Sequence, residues 1–504
     1  MKILFINPSL RPGFGKKVFP LGLACVLTYV RDSGYKFDLL DIDINGYDDD
    51  YVENFIKENK YDVILYGTIV THYKWIKWLT QTIKCHHPST IVVVGNSTAA
   101  SCLDVFMANA PADIAIVGEG EITCVEVLNA ISNGGEMNDV LGIAYRNSSG
   151  EIIKNLPRKA CDINELPMID WDLFEVPKYL NSYQWTAFGV SKDVKSVILP
   201  LSAARGCTFR CTFCHFVYWE DPFRYRSPER IVEEIRRNIE KYGATYINFN
   251  DDLTLSSLVQ TERLADAILA SGLKFDWSAA VRTDLFGKPN FSYERRLSVA
   301  KKLKESGCRT LSFSLEHAND EILKMMEKHV KKEYFSEQMK VLREVGIMAS
   351  CSVIFGYPME TTETIQETFD FCFQNKVYPS IGFLMPLPYT KMYEYAIENG
   401  FIRDEDAYLD SITERQDICL NMTKLSDEEI MGEIKKNALK LNQMLEIGLD
   451  ASSLIKTGGP IKHTNLKTQL KADGALDPDK IERNENDFSF NYSQATFDED
   501  VKIL

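Results

Sequence analysis

Three cysteines, Cys207, Cys211 and Cys214, fall within eight consecutive residues and form the densest group of soft-metal ligands in the sequence. Thiolates bind soft metals such as iron and zinc. Three thiolates with a fourth ligand missing suit a [4Fe-4S] cluster in which one iron stays open to a substrate or cofactor. The spacing therefore favours an iron–sulfur cluster on this segment.

Two simpler interpretations of the three cysteines stay open at this point. A structural zinc site normally needs four ligands, and no second cysteine pair or histidine pair follows at zinc-finger spacing. His215 is adjacent to Cys214, but sequence neighbours rarely reach one tetrahedral ion together. The second interpretation is buried thiols, as for the nine other cysteines, which are scattered singly and mostly among apolar neighbours.

The composition indicates a folded protein of several domains, with 45% hydrophobic and 26% charged residues over 504 positions. The 57 Lys plus Arg and 72 Asp plus Glu give a net charge of -15, which argues against an obligate nucleic-acid partner. No apolar run is long enough for a transmembrane segment, and the first residues do not form a signal peptide. Because single cysteines fit a reducing compartment, the sequence predicts a cytoplasmic protein.

The first 150 residues are predicted to form a doubly wound, Rossmann-like α/β domain. Short β-branched segments alternate with segments of helical apolar spacing, which is typical of a parallel sheet with crossover helices. Ligands of such sheets bind at the carboxyl ends of the strands, where small and polar residues stand here. The predicted strands are 2–7, 37–43, 62–67, 91–95 and 113–118, and the predicted helices are 21–30, 51–57, 75–84 and 122–131.

A second alternation of strands and helices predicts a partial (β/α)6, TIM-like barrel over residues 196–400. The active site of such a barrel lies at the carboxyl ends of its strands, and the three cysteines directly follow the first strand. The predicted strands are 197–202, 246–250, 275–281, 310–315, 350–355 and 381–385, and the predicted helices are 228–242, 261–270, 293–306, 336–345 and 362–374.

The remaining segments are predicted to connect or follow these two domains. Residues 151–195 are predicted to be a connector, and the loss of alternation from about residue 136 suggests a small hairpin. A capping box at Ser426 begins a helix, so residues 401–456 are predicted as a helical C-terminal region. Residues 457–504 have weak periodicity and are predicted as a flexible or loosely docked tail.

The pattern Cys-x-x-x-Cys-x-aromatic-Cys resembles the signature of the radical S-adenosylmethionine (SAM) enzymes. The resemblance implies that the three cysteines hold a [4Fe-4S] cluster whose open iron binds SAM, and that SAM is cleaved to a 5′-deoxyadenosyl radical. Segments 250–252, 312–316 and 351–360 resemble later strand-end motifs of that family, with Ser314 and Met359 where glycine is usual. The residues implied for SAM binding are Phe213, Asn250, Asp252, Ser314, Glu316, Ile354 and Gly356.

The domain before the barrel resembles the cobalamin-binding subgroup of that family, in segments 2–8, 20–23 and 117–121. The resemblance implies a corrin ring between the sheet and the barrel. No Asp-x-His-x-x-Gly motif follows the first strand, so no histidine, His72 included, is expected to ligate cobalt. The residues implied for cobalamin contact are Ser9, Leu10, Leu21, Gly67, Thr68, Thr71, His72, Gly95, Asn96, Ser97, Gly118, Glu119 and Gly120.

The two resemblances together imply a cobalamin-dependent radical SAM methyltransferase acting on an unactivated carbon of a small-molecule or lipid-like substrate. The implied partner is a low-potential electron donor such as flavodoxin or ferredoxin. One alternative is oxidative cyclisation or rearrangement without methyl transfer, as in the anaerobic porphyrin-ring cyclases that the chain also resembles. Another is a non-catalytic corrinoid or redox sensor.

Overall fold

The structure is a computed structural model that describes residues 1–10, 17–182, 196–216, 221–413 and 415–455. The predicted tail and residues 183–195 of the predicted connector lie outside the described residues. Within the described ranges, every helix is too short or too polar to cross a membrane.

The first sheet has seven strands in the order β2-β1-β3-β4-β5-β6-β7. The first five strands of this order are parallel, and the last two are added antiparallel at one edge. The strands are β1 (Ile3–Asn7), β2 (Asp38–Asp41), β3 (Val63–Gly67), β4 (Ile91–Gly95), β5 (Ile114–Ile116), β6 (Ile143–Arg146) and β7 (Ile152–Lys154).

Helices cover both faces of this sheet, which confirms the doubly wound prediction. Ile3 and Phe5 of β1 belong to one apolar cluster, whereas Leu4 and Ile6 belong to the other, as expected from strand alternation. The helices are α1 (Leu21–Asp32), α2 (Ile42–Asn45), α3 (Asp49–Glu58), α4 (Tyr73–His86), α5 (Asn96–Ser101), α6 (Leu103–Asn109) and α7 (Gly120–Asn133).

The hairpin expected in the segment after residue 136 belongs to the first sheet. It is formed by β6 and β7, and β6 pairs with β5 through Ile143 and Ile116. Ala144 is buried, and Ile152 of β7 packs against the same apolar cluster, so the first domain continues past residue 150. Its attachment leaves only the segment after β7, with the short helix α8 (Val176–Ser182), to link the two domains.

The second sheet contains six parallel strands in the order β15-β14-β13-β12-β11-β8 and forms the predicted partial barrel. A separate antiparallel ribbon of β9 (Ala204–Arg205) and β10 (Arg224–Tyr225) flanks the cysteine segment. The barrel strands are β8 (Ile198–Leu201), β11 (Tyr246–Phe249), β12 (Asp276–Ala280), β13 (Cys308–Glu316), β14 (Met348–Phe355) and β15 (Ser380–Phe383).

Helices pack on the outer face of the barrel and continue beyond it. Ser426 caps the last of them with the predicted capping box, reciprocated by Glu429. The helices are α9 (Pro228–Tyr242), α10 (Leu258–Ser271), α11 (Tyr293–Glu305), α12 (Asp320–Met325), α13 (Lys332–Val345), α14 (Thr362–Gln374), α15 (Lys391–Glu398), α16 (Glu405–Ser411) and α17 (Asp427–Met444).

Candidate functional site

The three cysteines lie on one loop that follows β8 and β9 at the mouth of the barrel. Thr212 anchors this loop, because its amide donates to the Met326 carbonyl at 2.9 Å and its carbonyl accepts from the Met392 amide at 3.1 Å. The Thr212 hydroxyl also lies 3.2 Å from the Tyr357 hydroxyl after β14. The barrel therefore holds the cysteine loop in place through contacts with several separate segments.

The donor set of this loop fits an iron–sulfur cluster. The thiols of Cys207, Cys211 and Cys214 influence one another electrostatically, and burial raises the pKa of the Cys214 thiol to about 12. A metal that binds thiolate offsets this cost of ionisation. In the described part of the chain, no three Cys, His, Asp or Glu side chains converge on a single-ion site. In a [4Fe-4S] cluster each thiolate binds a different iron, and three thiols on one loop fit such a cluster.

Asn250 and Asp252 follow β11 and line a cavity shared with the cysteine loop. The charge of Asp252 acts on the Cys214 thiol, which places the carboxyl group close to the loop. Partial burial by the cavity walls raises the pKa of Asp252 to about 6. A carboxylate in this position is suited to a cationic group of a ligand, as the SAM prediction requires.

Glu316 ends β13 in a strained conformation beside the cysteine loop. Its φ is +63°, and the register with β14 shifts between Ser314 and Glu316. The Glu316 Oε1 atom accepts from Lys328 Nζ at 2.7 Å, and both side chains are buried. Ser314 Oγ lies 2.7 Å from Ser352 Oγ on the neighbouring strand. A non-glycine residue in this region of φ costs about 1–3 kcal/mol and is typical of functional sites.

Gly356 begins the turn after β14 with a φ of +97°. Its amide donates to Glu360 Oε2 at 3.2 Å, and Glu360 Oε1 lies 3.2 Å from Nε2 of the buried His317. Because His317 follows Glu316, this pair ties together the turns after β13 and β14. Met359 is 46% exposed and has no positive φ, so this turn accommodates a side chain where the resembled motif has glycine.

Phe213 and Ile354 complete the set predicted for SAM. Phe213 packs edge-to-face on Tyr357, with ring centroids 6.4 Å apart, and both Phe213 and Ile354 contact the same apolar cluster. The predicted SAM residues are thus gathered around the barrel mouth, and their role in binding stays a prediction.

A cavity of about 630 Å³ lies between the carboxyl edge of the first sheet and the mouth of the barrel. Its walls come from both domains, as expected for a ligand held between sheet and barrel. The residues predicted for cobalamin that line it are Leu21, Gly67, Thr71, Gly95, Asn96, Ser97, Gly118, Glu119 and Gly120.

Four residues predicted for cobalamin, Ser9, Leu10, Thr68 and His72, do not line this cavity. Ser9 Oγ donates to Asp43 at 2.6 Å, and the Thr68 carbonyl accepts from Thr98. His72 is only 1% exposed. Ser9 and Thr68 thus bond within the first domain, and His72 is buried there.

His72 stacks on Trp75 with ring centroids 4.9 Å apart, and its Nδ1 atom lies 3.4 Å from Thr68 Oγ1. We therefore expect Co(II)-cobalamin bound to the protein to show no nitrogen superhyperfine splitting from a protein histidine. Electron paramagnetic resonance (EPR) spectra of the native protein and His72→Ala should coincide. A splitting that is present in the native protein and lost in His72→Ala would establish His72 as a cobalt ligand.

The barrel contributes wall residues that sequence reasoning did not assign to this cavity, among them Arg205, His215, Phe216 and Asp251. Nε2 of His215 lies 2.9 Å from Ser101 Oγ of the first domain, and burial lowers the pKa of His215 to about 4. A neutral imidazole therefore joins the cysteine loop to the first domain. The position of His215 directly after Cys214 was the only available signal.

Glu119 reaches the cavity wall, but both of its carboxylate oxygens bind arginines of the β9–β10 ribbon. Oε1 accepts from Arg205 at 2.5 Å and Oε2 accepts from Arg224 at 2.9 Å. Arg205 also pairs with Glu121. Burial acts to raise the pKa of Glu119, but the Arg224 hydrogen bond and the Arg205 charge outweigh it and lower the pKa to about 2.

This lowered pKa predicts an acid-sensitive contact between the domains. Glu119 stabilises the folded state above its ordinary pKa of 4.5, and this contribution is lost as pH falls from 4.5 towards 2. The lowering of the Glu119 pKa from 4.5 to about 2 corresponds to about 3 kcal/mol of folding free energy. Thermal unfolding should show a Tm that falls more steeply below pH 4.5 in the native protein than in Glu119→Gln. An equal fall of Tm with pH in the two proteins would contradict the assignment of this acid sensitivity to Glu119.

Comparisons with sequence families match the two domains separately. The B12-binding domain family matches residues 13–128, and the radical SAM superfamily matches residues 201–372. An uncharacterized methyltransferase of Pyrococcus horikoshii is 29% identical over 80% of this chain and 84% of its own length. Cytidylyl-2-hydroxyethylphosphonate methyltransferase of Streptomyces wedmorensis is 25% identical over 88% of this chain and 89% of its own length. Anaerobic magnesium-protoporphyrin IX monomethyl ester cyclase of Rubrivivax gelatinosus is 25% identical over 81% of this chain and 72% of its own length.

Two solved structures share the arrangement of both domains. The cobalamin-dependent SAM radical enzyme OxsB superposes with a TM-score of 0.63 at 18% identity, over 79% of this chain and 55% of OxsB. The radical SAM methyltransferase TsrM from Kitasatospora setae superposes with a TM-score of 0.60 at 17% identity, over 80% and 77%. At these identities the likeness establishes a shared fold.

Proposed function

Since the chain belongs to the radical SAM enzymes with an N-terminal B12-binding domain, we propose that it methylates an unactivated carbon of a polar small molecule. A [4Fe-4S] cluster, SAM and cobalamin are the cofactors of this family and of this chain. When bound, they supply a 5′-deoxyadenosyl radical that removes a hydrogen atom and a methyl group that replaces it.

The observation that carries the proposal is a cavity built by both domains. First-sheet loops supply Gly95 and Gly118, the cysteine loop supplies His215 and Phe216, and the end of β11 supplies Asp252. This cavity is assigned to cobalamin, and Asn250 and Asp252 of the set assigned to SAM also line it, so a substrate would lie where the two surfaces meet. Radical capture of a methyl group requires such alignment, because reacting atoms must approach within about 3–3.5 Å.

The inner face of the barrel supports a polar substrate over a lipid-like one. In the parallel register Ser312 pairs with Ser350, and Ser352 pairs with both Ser314 and Ser380, so these hydroxyls share one face of the sheet. The opposite face carries the apolar side chains that pack against the helices, for example Phe313 on Phe335. Ser314 and Ser352 pair with each other and Ser380 accepts from Arg415. Hydrocarbon packed on Ser312 and Ser350 would exclude water from their hydroxyls, at about 1–3 kcal/mol for each one left without a hydrogen bond.

The principal rival is radical oxidation or cyclisation without methyl transfer, because a cyclase is among the relatives. The methyltransferase relatives, which this chain matches over more than four-fifths of their length, favour methyl transfer. A non-catalytic sensor is not favoured, since the named relatives are enzymes.

We also propose a flavodoxin or ferredoxin as the source of the low-potential electron, and the cytoplasm as the compartment. The twelve cysteines of the chain are unpaired, which supports a reducing environment.

The test is anaerobic incubation of the reconstituted enzyme with extract of the source organism and SAM carrying a trideuteromethyl group. We expect the label in a water-soluble product, together with 5′-deoxyadenosine and S-adenosylhomocysteine. Label in the lipid fraction would contradict the polar-substrate proposal. Formation of 5′-deoxyadenosine with an oxidised, unlabelled product would favour the cyclase alternative.

A further inference from the structure

A buried group of four charges joins the first domain to the ribbon that leads into the cysteine loop. Arg205 and Arg224 stand opposite each other in the antiparallel ribbon of β9 and β10. Two guanidinium groups in such a pair repel unless countercharges are supplied. Those countercharges are Glu119 and Glu121, which come from the other domain, from the loop and first turn between β5 and α7.

The four side chains are nearly excluded from solvent, with exposed fractions of 5–13%. Charges buried to this extent are favourable only while every partner is present, because removal of one partner leaves an uncompensated charge. Glu119 Oε2 also accepts from the Cys161 amide at 3.1 Å. The Glu119 carboxylate is therefore bound simultaneously by the ribbon and by the segment that connects the two domains.

The same group lies at the cavity assigned to cobalamin and directly precedes the cysteine loop in the sequence. Glu119, Glu121 and Arg205 line the cavity assigned to cobalamin. Arg205 is followed by Gly206, with a φ of +80°, and then by Cys207. Only Gly206 separates Arg205 from Cys207, the first cysteine of the loop. A shift of Arg205 therefore moves the start of that loop.

We propose that Arg205, held between Glu119 and Glu121, is a positioning residue that sets the cysteine loop against the cobalamin cavity and makes the loop respond to cobalamin. Cobalamin in the cavity contacts the Glu119 and Glu121 carboxylates that hold Arg205. A displacement of Arg205 then displaces Cys207. This inference rests on the cofactors of the family and not on methyl transfer, so its test contains no substrate.

The test uses the full chain with its cluster reconstituted, and aquacobalamin as the probe. EPR spectra of the reduced cluster with SAM, and SAM affinity by calorimetry, are recorded with and without aquacobalamin. The variants are Glu119→Gln, which removes one charge, and Arg205→Lys, which keeps the charge but lacks the planar fork whose two nitrogens bind Glu119 and Glu121 separately. The control is Lys77→Met, which breaks the ion pairs to Asp406 and Asp410 on α16, away from the cavity residues.

In the native protein and Lys77→Met, aquacobalamin is expected to shift the cluster spectrum and to change SAM affinity by roughly 5-fold or more, a typical coupling between sites. In Arg205→Lys and Glu119→Gln, saturating aquacobalamin should cause little or no shift of the cluster spectrum and little or no change in SAM affinity. If Glu119→Gln does not fold, Arg205→Lys decides the outcome. Native-like effects in Arg205→Lys, or no effect of aquacobalamin on the native protein, would overturn the proposal.

Discussion

Replacing Cys207, Cys211 and Cys214 together by Ala is expected to abolish iron and sulfide binding and the formation of 5′-deoxyadenosine. The three thiols lie on one anchored loop at the barrel mouth, and the nine other cysteines are single. Because we assign the cluster to these thiolates and it delivers the electron that cleaves SAM, the expected loss is complete. Iron and sulfide analysis, the visible absorbance of the cluster and chromatography of the nucleoside products measure it.

The matched control is Cys85→Ser, since Cys85 is an exposed thiol on α4 of the first domain. It should retain the full cluster and native product formation. Four irons per chain in the triple variant would require other ligands and would contradict the assignment of the cluster to this loop.

Glu316→Gln is expected to weaken SAM binding roughly 10-fold to 150-fold, corresponding to the loss of a charge-assisted hydrogen bond worth about 1.5–3 kcal/mol. The substitution preserves side-chain size but removes the charge that pairs with Lys328. Lys328 is then left as a buried cation without its carboxylate, so thermal stability should also fall. Calorimetric titration of the cluster-loaded protein with SAM gives the dissociation constant.

Glu321→Gln repeats the same chemical change at an exposed position on α12 and should leave SAM affinity unchanged. Native affinity in Glu316→Gln would show that Glu316 serves only to neutralise Lys328. A measurable loss confined to Glu316→Gln would support direct contact with the cofactor.

Sequence patterns were sufficient to predict the two sheets and the loop that carries the cysteines. Strand and helix periodicity predicted α9 and α14 with the bounds observed, and it predicted every parallel strand of both sheets. These features depend on local apolar spacing and on residues adjacent in the chain. The short helix α5, with its Asn, Ser, Thr and Ala residues, has no apolar stripe and was not predicted.

Features that depend on distant pairs could not be predicted in this way. Glu119 stays a predicted cobalamin contact, and its arginine partners lie 86 and 105 residues later in the chain. No periodicity in the sequence indicates that pairing. His72 follows a strand end as many ligand contacts do. It ends the 3-10 turn at Val70–His72, stacks on Trp75 and does not line the cavity.

The most direct test of the central claim is a single turnover of the cluster-loaded enzyme with bound methylcobalamin whose methyl group is trideuterated. Unlabelled SAM, a low-potential reductant and the extract fraction that yields labelled product in the incubation proposed above complete the reaction. Methyl transfer predicts one trideuteromethyl group in the product for each 5′-deoxyadenosine formed, together with demethylated cobalamin. An oxidised or cyclised product without label, formed while methylcobalamin stays intact, would contradict the claim.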